Sequence, residues 1–336
     1  MMKILYIGNK LSKHGYSVST IETLGQFFEK EGFEVIYSSS KKNKVFRLFH
    51  MWFSILTHFR KVDFVLIDTY SSLNFWYAYS SSALCRILKL PYLPILHGGS
   101  LPERFKKNPK QASFIVNNAF KTVIPSAYLE FHLQNYNIPR AFIIPNTIEI
   151  KNYPFTERDQ IKPNLLWVRA IDSTYNPEMA LKVLELISEQ YPSAKLTMVG
   201  PFKDISELQW KKIEEKYKVK PTLTGRLSKE QWIKLSSDFD IFLNTTNVDN
   251  MPVSVIEAMA LGLPIISTNV GGLPFLLENN EDALLVESNN EVQMAETVFK
   301  LIENKGLAHK LSLNARNKVQ QFDWEIVKNQ WKEILK

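Results

Sequence analysis

Short, uninterrupted apolar runs rich in β-branched and aromatic residues recur along the chain, separated by stretches long enough for a helix. In the first half they read KILYIG (3–8), FEVIYSS (33–39), FVLIDTY (64–70), YLPILHGG (92–99), KTVIPSA (121–127) and AFIIPN (141–146). Apolar and polar residues do not alternate within them, so each predicts a strand covered on both faces, as in a parallel sheet between two helical layers. Segments 20–23, 45–59, 74–88 and 111–119 supply helices between the strands. The fold class these alternations allow is a doubly wound α/β domain.

Prolines and charges interrupt the rhythm in PNTIEIKNYPFTERDQIKP (145–163), which reads as a linker. The alternation then restarts with NLLWVRA (164–170), a helix over 177–190, KLTMVG (195–200), TLTG (222–225) and DIFLNTT (240–246). A helix from 253, PIISTNV (264–270), ALLVE (283–287) and a long helix after 291 complete it. This is a second domain of the same class, and 336 residues suffice for two. Two such sheets offer an interdomain cleft beside the carboxyl ends of their strands, where open α/β sheets bind ligands. Most of the unusual polar residues fall just after an expected strand.

Composition narrows the partners. Cys85 is the single cysteine, so no intrachain disulfide forms and a reducing compartment is favoured. MMKILYIG is too short and strand-like for a secretory signal. No apolar run reaches the ~18 residues of a membrane-spanning helix. The expectation is a cytoplasmic protein, at most peripheral on the inner face of the cell membrane. Residues 1–150 hold 18 Lys/Arg and 9 Asp/Glu, a net +9, whereas the remainder holds 23 and 25, a net −2. A basic first half suits an acidic glycan or an anionic membrane surface, or is merely a solubilising surface. Nucleic acid is set aside for want of a recognition motif.

The segment KKNKVFRLFHMWFSILTHFRK (41–61) places Lys41, Lys42, Lys44 and Arg47 beside Val45, Leu48, Phe49, Trp52 and Leu56 at helical spacing. A basic, aromatic helix of this kind can lie in an anionic membrane interface, each basic residue contributing ~1 kcal/mol. It equally suits the buried crossover helix that a parallel sheet requires between its second and third strands.

The chemistry concentrates in DNMPVSVIEAMALGLP (249–264). Pro252 suits a first helical turn, and the backbone N–H groups of Val253, Ser254 and Val255 then form a seat for phosphate. Glu257 would repel phosphate directly but can accept hydrogen bonds from adjacent sugar hydroxyls, as can Asp249 in the preceding loop. Helix capping and complementing the helix dipole are the plainer roles for the two acids. Gly271 and Gly272 follow the next strand, where glycines permit close backbone approach to a ligand or simply make a turn.

DNMPVSVIEAMALGLPIISTNVGG resembles the signature of retaining GT-B glycosyltransferases of family 4: an acid, seven residues, then Glu within EAMA-G-P, and a glycine pair. NLLWVRA, YNPEMALKVLELI, KLTMVG, TGRLSKEQW and FDWEIVKNQW fall in the family's order, strongly through the second half and more weakly through the first. The resemblance implies two Rossmann-like domains facing a cleft. Residues 1–150 would bind the acceptor, 151–322 the nucleotide-sugar, and 323–336 would form a helix crossing back to the first domain. It implies that Glu257 binds the donor ribose, Asp249 the transferred sugar, and the backbone around Met251, Pro252 and Val253 the region near the phosphates. The family usually has Glu where Asp249 stands. Arg169 would neutralise the diphosphate leaving group. The family's Lys six residues later is replaced by Tyr175, so either another cation, Arg226 or Lys229, supplies the second charge or diphosphate stabilisation is weaker.

By the same resemblance His97 lines the transfer site without acting as a general base, although a His before two glycines also suits a plain turn. Gly15 matches a loop approaching the donor phosphates, with Lys10, Lys13 and His14 adding positive potential, or the loop is simply exposed. It is not a GxGxxG fingerprint. Asn146 lies in a hinge-proximal segment. No metal or other cofactor is implied, since no Asp-x-Asp run falls at a suitable loop and no His/Cys cluster has ligand spacing. The activity implied is sugar transfer from a nucleotide-sugar to a glycan or lipid-linked hydroxyl acceptor. The alternatives are a nucleotide-sugar epimerase or hydrolase of the same fold, or a non-catalytic nucleotide-sugar- or glycan-binding protein.

Overall fold

A computed structural model describes residues 1–158, 160–304 and 306–336. The chain forms two compact units, Met1–Pro145 together with Val327–Lys336, and Asn146–Ile326. Among the described residues no helix is long and apolar enough to cross a membrane.

The strands of the first unit are β1 (Lys3–Ile7), β2 (Glu34–Ser38), β3 (Phe64–Thr69), β4 (Tyr92–Leu96), β5 (Thr122–Ile124) and β6 (Ala141–Ile143). They pair in parallel in the order β2-β1-β3-β4-β5-β6. The connecting helices are α1 (Thr20–Lys30), α2 (Lys44–His58), α3 (Asn74–Ile87), α4 (Leu101–Lys107), α5 (Pro109–Asn117) and α6 (Ala127–Leu133). All five residues of β4 are buried, as its continuous apolar sequence requires of a strand covered on both faces. The order reverses between β1 and β3, so the loops leaving these strands diverge there and open a crevice.

The second unit holds β7 (Asn164–Val168), β8 (Lys195–Val199), β9 (Thr222–Gly225), β10 (Ile241–Asn244), β11 (Ile265–Thr268) and β12 (Leu284–Val286). Their order is β12-β11-β10-β7-β8-β9, with the reversal between β7 and β10. Its helices are α7 (Pro177–Gln190), α8 (Glu207–Glu214), α9 (Lys229–Leu235), α10 (Val253–Ala260), α11 (Leu273–Leu276), α12 (Glu291–Glu303) and α13 (Leu307–Val319). Leu166, Phe242 and Ile265 pack on one side of the sheet with Val255 and Ile256 of α10. Trp167, Ile241 and Ile266 pack on the other with Val183 and Ile187 of α7 and Val298 of α12.

The 145–163 segment, expected as a linker, is from Asn146 onward an integral part of the second unit. Buried Arg158 donates to the carbonyls of Phe239, Thr156, Leu261, Gly262 and Ser236. Five carbonyls satisfy a charge that burial would otherwise make costly. Asp159, within the same expected linker, lies outside the described residues.

The last helix, α14 (Trp324–Ile334), ends within the first unit. Trp331 meets Phe28 edge-to-face at 5.3 Å, and Lys121 Nζ donates to the Ile334 carbonyl at 2.8 Å. Lys332 and Lys328 converge on Glu31, at 2.5 and 3.4 Å. The Lys332 hydrogen bond holds the Glu31 carboxyl below its ordinary range. A depressed carboxylate contributes stability above its unfolded-state value, near 4.5, and loses it as pH falls through the folded value. Glu31→Gln is therefore expected to destabilise the protein by about 1 kcal/mol or less at neutral pH, since both lysines are partly solvated. Urea titrations of variant and parent should converge in acid. An undiminished difference there would contradict the assignment.

Candidate active site

In the second unit the polar residues collect where the sheet order reverses. β7 continues past its last ladder residue as a two-chain ribbon with the segment after β8: Arg169 N–H donates to Val199 O at 3.0 Å, and Ile171 N–H to Pro201 O at 2.9 Å. Gly200 makes this possible, because a Cβ there would sit 1.8 Å from the Arg169 carbonyl oxygen. Arg169 thus leaves the sheet directly beside the loop that follows β10.

That loop carries Asp249. Its Oδ2 accepts from Arg169 Nη2 at 2.7 Å, with both side chains more than four-fifths buried. The other oxygen, Oδ1, accepts from the Asn250 N–H at 2.8 Å, and the Asp249 carbonyl accepts from Gly272 N–H at 2.9 Å. The glycine pair explains this close packing. A Cβ on Gly271 would lie 2.2 Å from Asp249 O, and one on Gly272 1.7 Å from Asn250 O. The approach these glycines permit is to the Asp249–Asn250 backbone, so they shape the loop from behind. Gly271 also has φ +54°, a conformation natural to glycine. Asn146 acts on the same loop, its Nδ2 donating to Met251 O at 2.7 Å.

Glu257 lies in the second turn of α10, 3% exposed. Its Oε1 accepts from the Tyr153 hydroxyl at 2.8 Å and is paired with the Lys229 ammonium. Burial raises the Tyr153 phenol well above its ordinary value, with Glu149 adding to the effect, so this hydroxyl stays a donor. At the start of α10, Pro252 is the N-cap and gives no side-chain cap. Its carbonyl accepts from Val255 and Ile256, so the Val255 amide expected to face phosphate is already in a turn. The amides of Val253 and Ser254 have no partner among the described residues, and the Ser254 hydroxyl is buried without one. Unpaired amides at a helix start favour an anion.

Lys229 is thus committed to Glu257, and Arg226 is exposed. Tyr175, at the position where resemblance led us to expect Lys, lies under the Arg169 guanidinium, 4.8 Å from ring centroid to Cζ. Burial is the largest influence raising its phenol, opposed by Arg169 and then supported by Asp249, with Lys203 and Asp172 also felt. Lys203 was not singled out in the sequence. Its Nζ pairs with Asp172 Oδ2 at 2.6 Å, and its N–H donates to Ile171 O at 3.1 Å. Burial is the largest influence and would lower this ammonium, but the hydrogen bond to Asp172 together with the nearby Tyr175, Asp172 and Asp204 outweighs it and holds the group above its ordinary value.

In the first unit, His97 follows β4 and is 5% exposed. Its Nε2 lies 3.0 Å from Asp68 Oδ1, which also accepts from the Tyr6 hydroxyl at 3.0 Å. Tyr70 stacks on the imidazole at 5.0 Å between centroids. A carboxylate on Nε2 fixes the ring's orientation and directs Nδ1 elsewhere. Asp68 Oδ2 is buried without a partner, and Gly8 leaves room for it, since a Cβ there would come within 2.6 Å. Gly15 has φ +87° and an unobstructed Cβ direction, so turn conformation accounts for it. Lys10 lies 3.3 Å over the Tyr37 ring, Lys13 is exposed, and His14 Nε2 is 3.0 Å from Ser40 O.

With two parallel six-stranded α/β sheets and an Arg–Asp–Glu constellation on the second, the molecule has the architecture of a GT-B glycosyltransferase. Residues 151–318 match the family model "Glycosyl transferases group 1", and the chain belongs to that family. It is 25% identical over 238 residues to the poly(ribitol-phosphate) alpha-N-acetylglucosaminyltransferase of Staphylococcus aureus, a match covering 69% of this chain and 47% of that protein. The chain therefore spans about half the length of that relative. Sucrose-phosphate synthase from Thermosynechococcus elongatus has a similar fold (TM-score 0.81, 18% identity, 99% of this chain and 98% of that one). So does Anabaena HepE, solved with UDP-glucose (TM-score 0.77, 15% identity, 100% and 99% covered).

The glycine packing sets up a direct comparison. Gly272→Ala forces backbone to move and is expected to cost more than about 2 kcal/mol in urea denaturation. Gly15→Ala meets no atoms and bears only the left-handed conformational cost of about 1–2 kcal/mol. Equal losses would refute the role given to Gly272 in shaping the loop.

Proposed function

We propose that this glycosyltransferase moves a sugar from a nucleoside-diphosphate donor to a hydroxyl acceptor with retention of anomeric configuration, in the assembly of a cell-surface polysaccharide or lipid-linked glycan. One observation carries the reading. A guanidinium, two unpaired helix-start amides and two carboxylates lie on connected elements at the switch point of the second sheet. That set matches a diphosphate flanked by two sugars: cationic and N–H groups for the phosphates, carboxylates for the hydroxyls.

In this reading Glu257 accepts from the ribose hydroxyls, exchanging Lys229 for them, and Asp249 orients the transferred sugar. Arg169 stabilises the negative charge that grows on the diphosphate as the anomeric C–O bond breaks. The new glycosidic bond forms on the face the diphosphate leaves, and the acceptor's proton passes to the departing phosphate oxygen. No side chain then has to serve as general base, and His97, held by Asp68, orients hydroxyls at the reaction centre. Lys203 takes the part of the cation missing at Tyr175. It stands on the strand extension paired with that of Arg169, and its neighbour Asp172 keeps it protonated. A uridine nucleotide is the first donor to test, because HepE, of similar fold, binds UDP-glucose. The name of the staphylococcal relative, an N-acetylglucosaminyltransferase acting on poly(ribitol-phosphate), favours a polymeric acceptor.

The test is a thermal-stability panel of UDP-, GDP- and ADP-sugars, followed by transfer assays with the donor that stabilises. A donor at about a hundred times its Kd stabilises the native state by about 2.7 kcal/mol. Glu257→Ala should abolish the shift. Arg169→Ala should lower kcat by at least about 100-fold, a loss of roughly 2.7 kcal/mol of transition-state stabilisation, and Lys203→Ala by about tenfold. If no nucleotide-sugar stabilises the protein, or if Glu257→Ala leaves the shift intact, the reading is wrong.

A further inference from the structure

Helix α2 has a buried face and an exposed apolar face. Arg47, Met51, Ser54 and Ile55 are buried against the first unit, and Ser54 Oγ donates to Ser38 Oγ at 2.9 Å. Val45, Phe46, Phe49, Phe53 and Leu56 are instead between 50% and 68% exposed. At about 100° per residue these five fall within an arc of about 100°, opposite the buried set. Isolated exposed apolar residues are ordinary, but five on one helix face, three of them Phe, form a contiguous ridge. The ridge continues beyond the helix. The Tyr77 hydroxyl donates to Lys44 O at 2.9 Å, which sets the start of α3, with exposed Leu73 and Trp76, beside this end of α2.

Both ends of the ridge are basic. Lys41, Lys42 and Lys44 precede it and Arg60 and Lys61 follow it, all exposed, and residues 41–62 contain no Asp or Glu. Arg47 serves a different purpose. Its guanidinium donates to Lys41 O, Lys42 O and Asn9 Oδ1, fixing the chain that presents the leading lysines. Asn43 accepts from the Val45 and Phe46 amides, so the helix start is capped and the ridge is a fixed surface.

We propose that α2 is a membrane-docking helix, which lays Val45, Phe46, Phe49, Phe53 and Leu56 into the interfacial layer of an anionic bilayer while the flanking lysines and arginine meet its headgroups. An apolar stripe bordered by basic residues is complementary to such a surface. A second copy of the chain is disfavoured as the occupant. A two-fold contact through α2 would bring Lys41, Lys42 and Lys44 against either their own equivalents or Arg60 and Lys61, and both arrangements set like charges together. α2 is thus the expected crossover helix, buried along one face only.

The experiment is co-sedimentation of the full chain with vesicles of phosphatidylcholine alone and of phosphatidylcholine with phosphatidylglycerol. Binding is expected on the anionic vesicles and should weaken with salt. Phe46→Ser/Phe49→Ser/Phe53→Ser should reduce it at least tenfold, about 1.4 kcal/mol, without loss of the thermal transition or of donor-induced stabilisation. Lys41→Glu/Lys42→Glu should remove the preference for anionic lipid. Absence of binding, or unchanged binding by the triple-Phe variant, would overturn the proposal. So would a concentration-dependent dimer, abolished by that variant, in a protein that ignores vesicles. Because the donor panel is read separately, failure here leaves the glycosyltransferase reading intact.

Discussion

The ion pair between Arg169 and Asp249 ties together the two chain segments that diverge at the switch point of the second sheet. Removing one partner from a largely buried pair leaves the other charge uncompensated, at a cost of about 3–5 kcal/mol when burial is complete. The pair therefore constrains more than two side chains. Gly200 must be small for the Arg169 backbone to lie where it does, and Gly271 and Gly272 must be small for the Asp249 loop to fold against β11's exit. Tyr175 lies beneath the guanidinium, which limits where the charge can go.

Glu257 shows a second form of the same economy. A carboxylate in the second turn of a helix whose other residues are almost all apolar has to be matched by donors, and Tyr153 and Lys229 provide them from two distant parts of the chain. The tyrosine comes from the strap before β7 and the lysine from the start of α9. The strap thus joins the site as well as the fold.

The fold was largely legible in the sequence because its strands are continuous apolar runs. β4 and β8, for example, coincide with YLPILHGG and KLTMVG to within a few residues. α8, α9 and α6 were not foreseen. Each is seven or eight residues long, too short to establish a helical period. In the candidate site, Arg169, Asp249 and Glu257 were singled out through the family resemblance, but the partners that hold them were not. Asp68 had a signal that was passed over, an acid inside the otherwise apolar run FVLIDTY, where an unpaired charge is costly. Tyr153 and Lys203 had none, since their positions depend on which strands become neighbours. The glycine pair was read as permitting close approach to a ligand or as making a turn. Only the Cβ directions reveal that the Asp249–Asn250 backbone packs closely against it.

The central claim is that the loop from Asp249 and the start of α10 grip the nucleotide-sugar. Amide hydrogen exchange, followed with and without a saturating stabilising nucleotide-sugar, tests it most directly. The account predicts slowed exchange across 249–257 and around Arg169, including the amides of Val253 and Ser254. Protection confined to other segments, with 249–257 unchanged while the donor is bound, would contradict it.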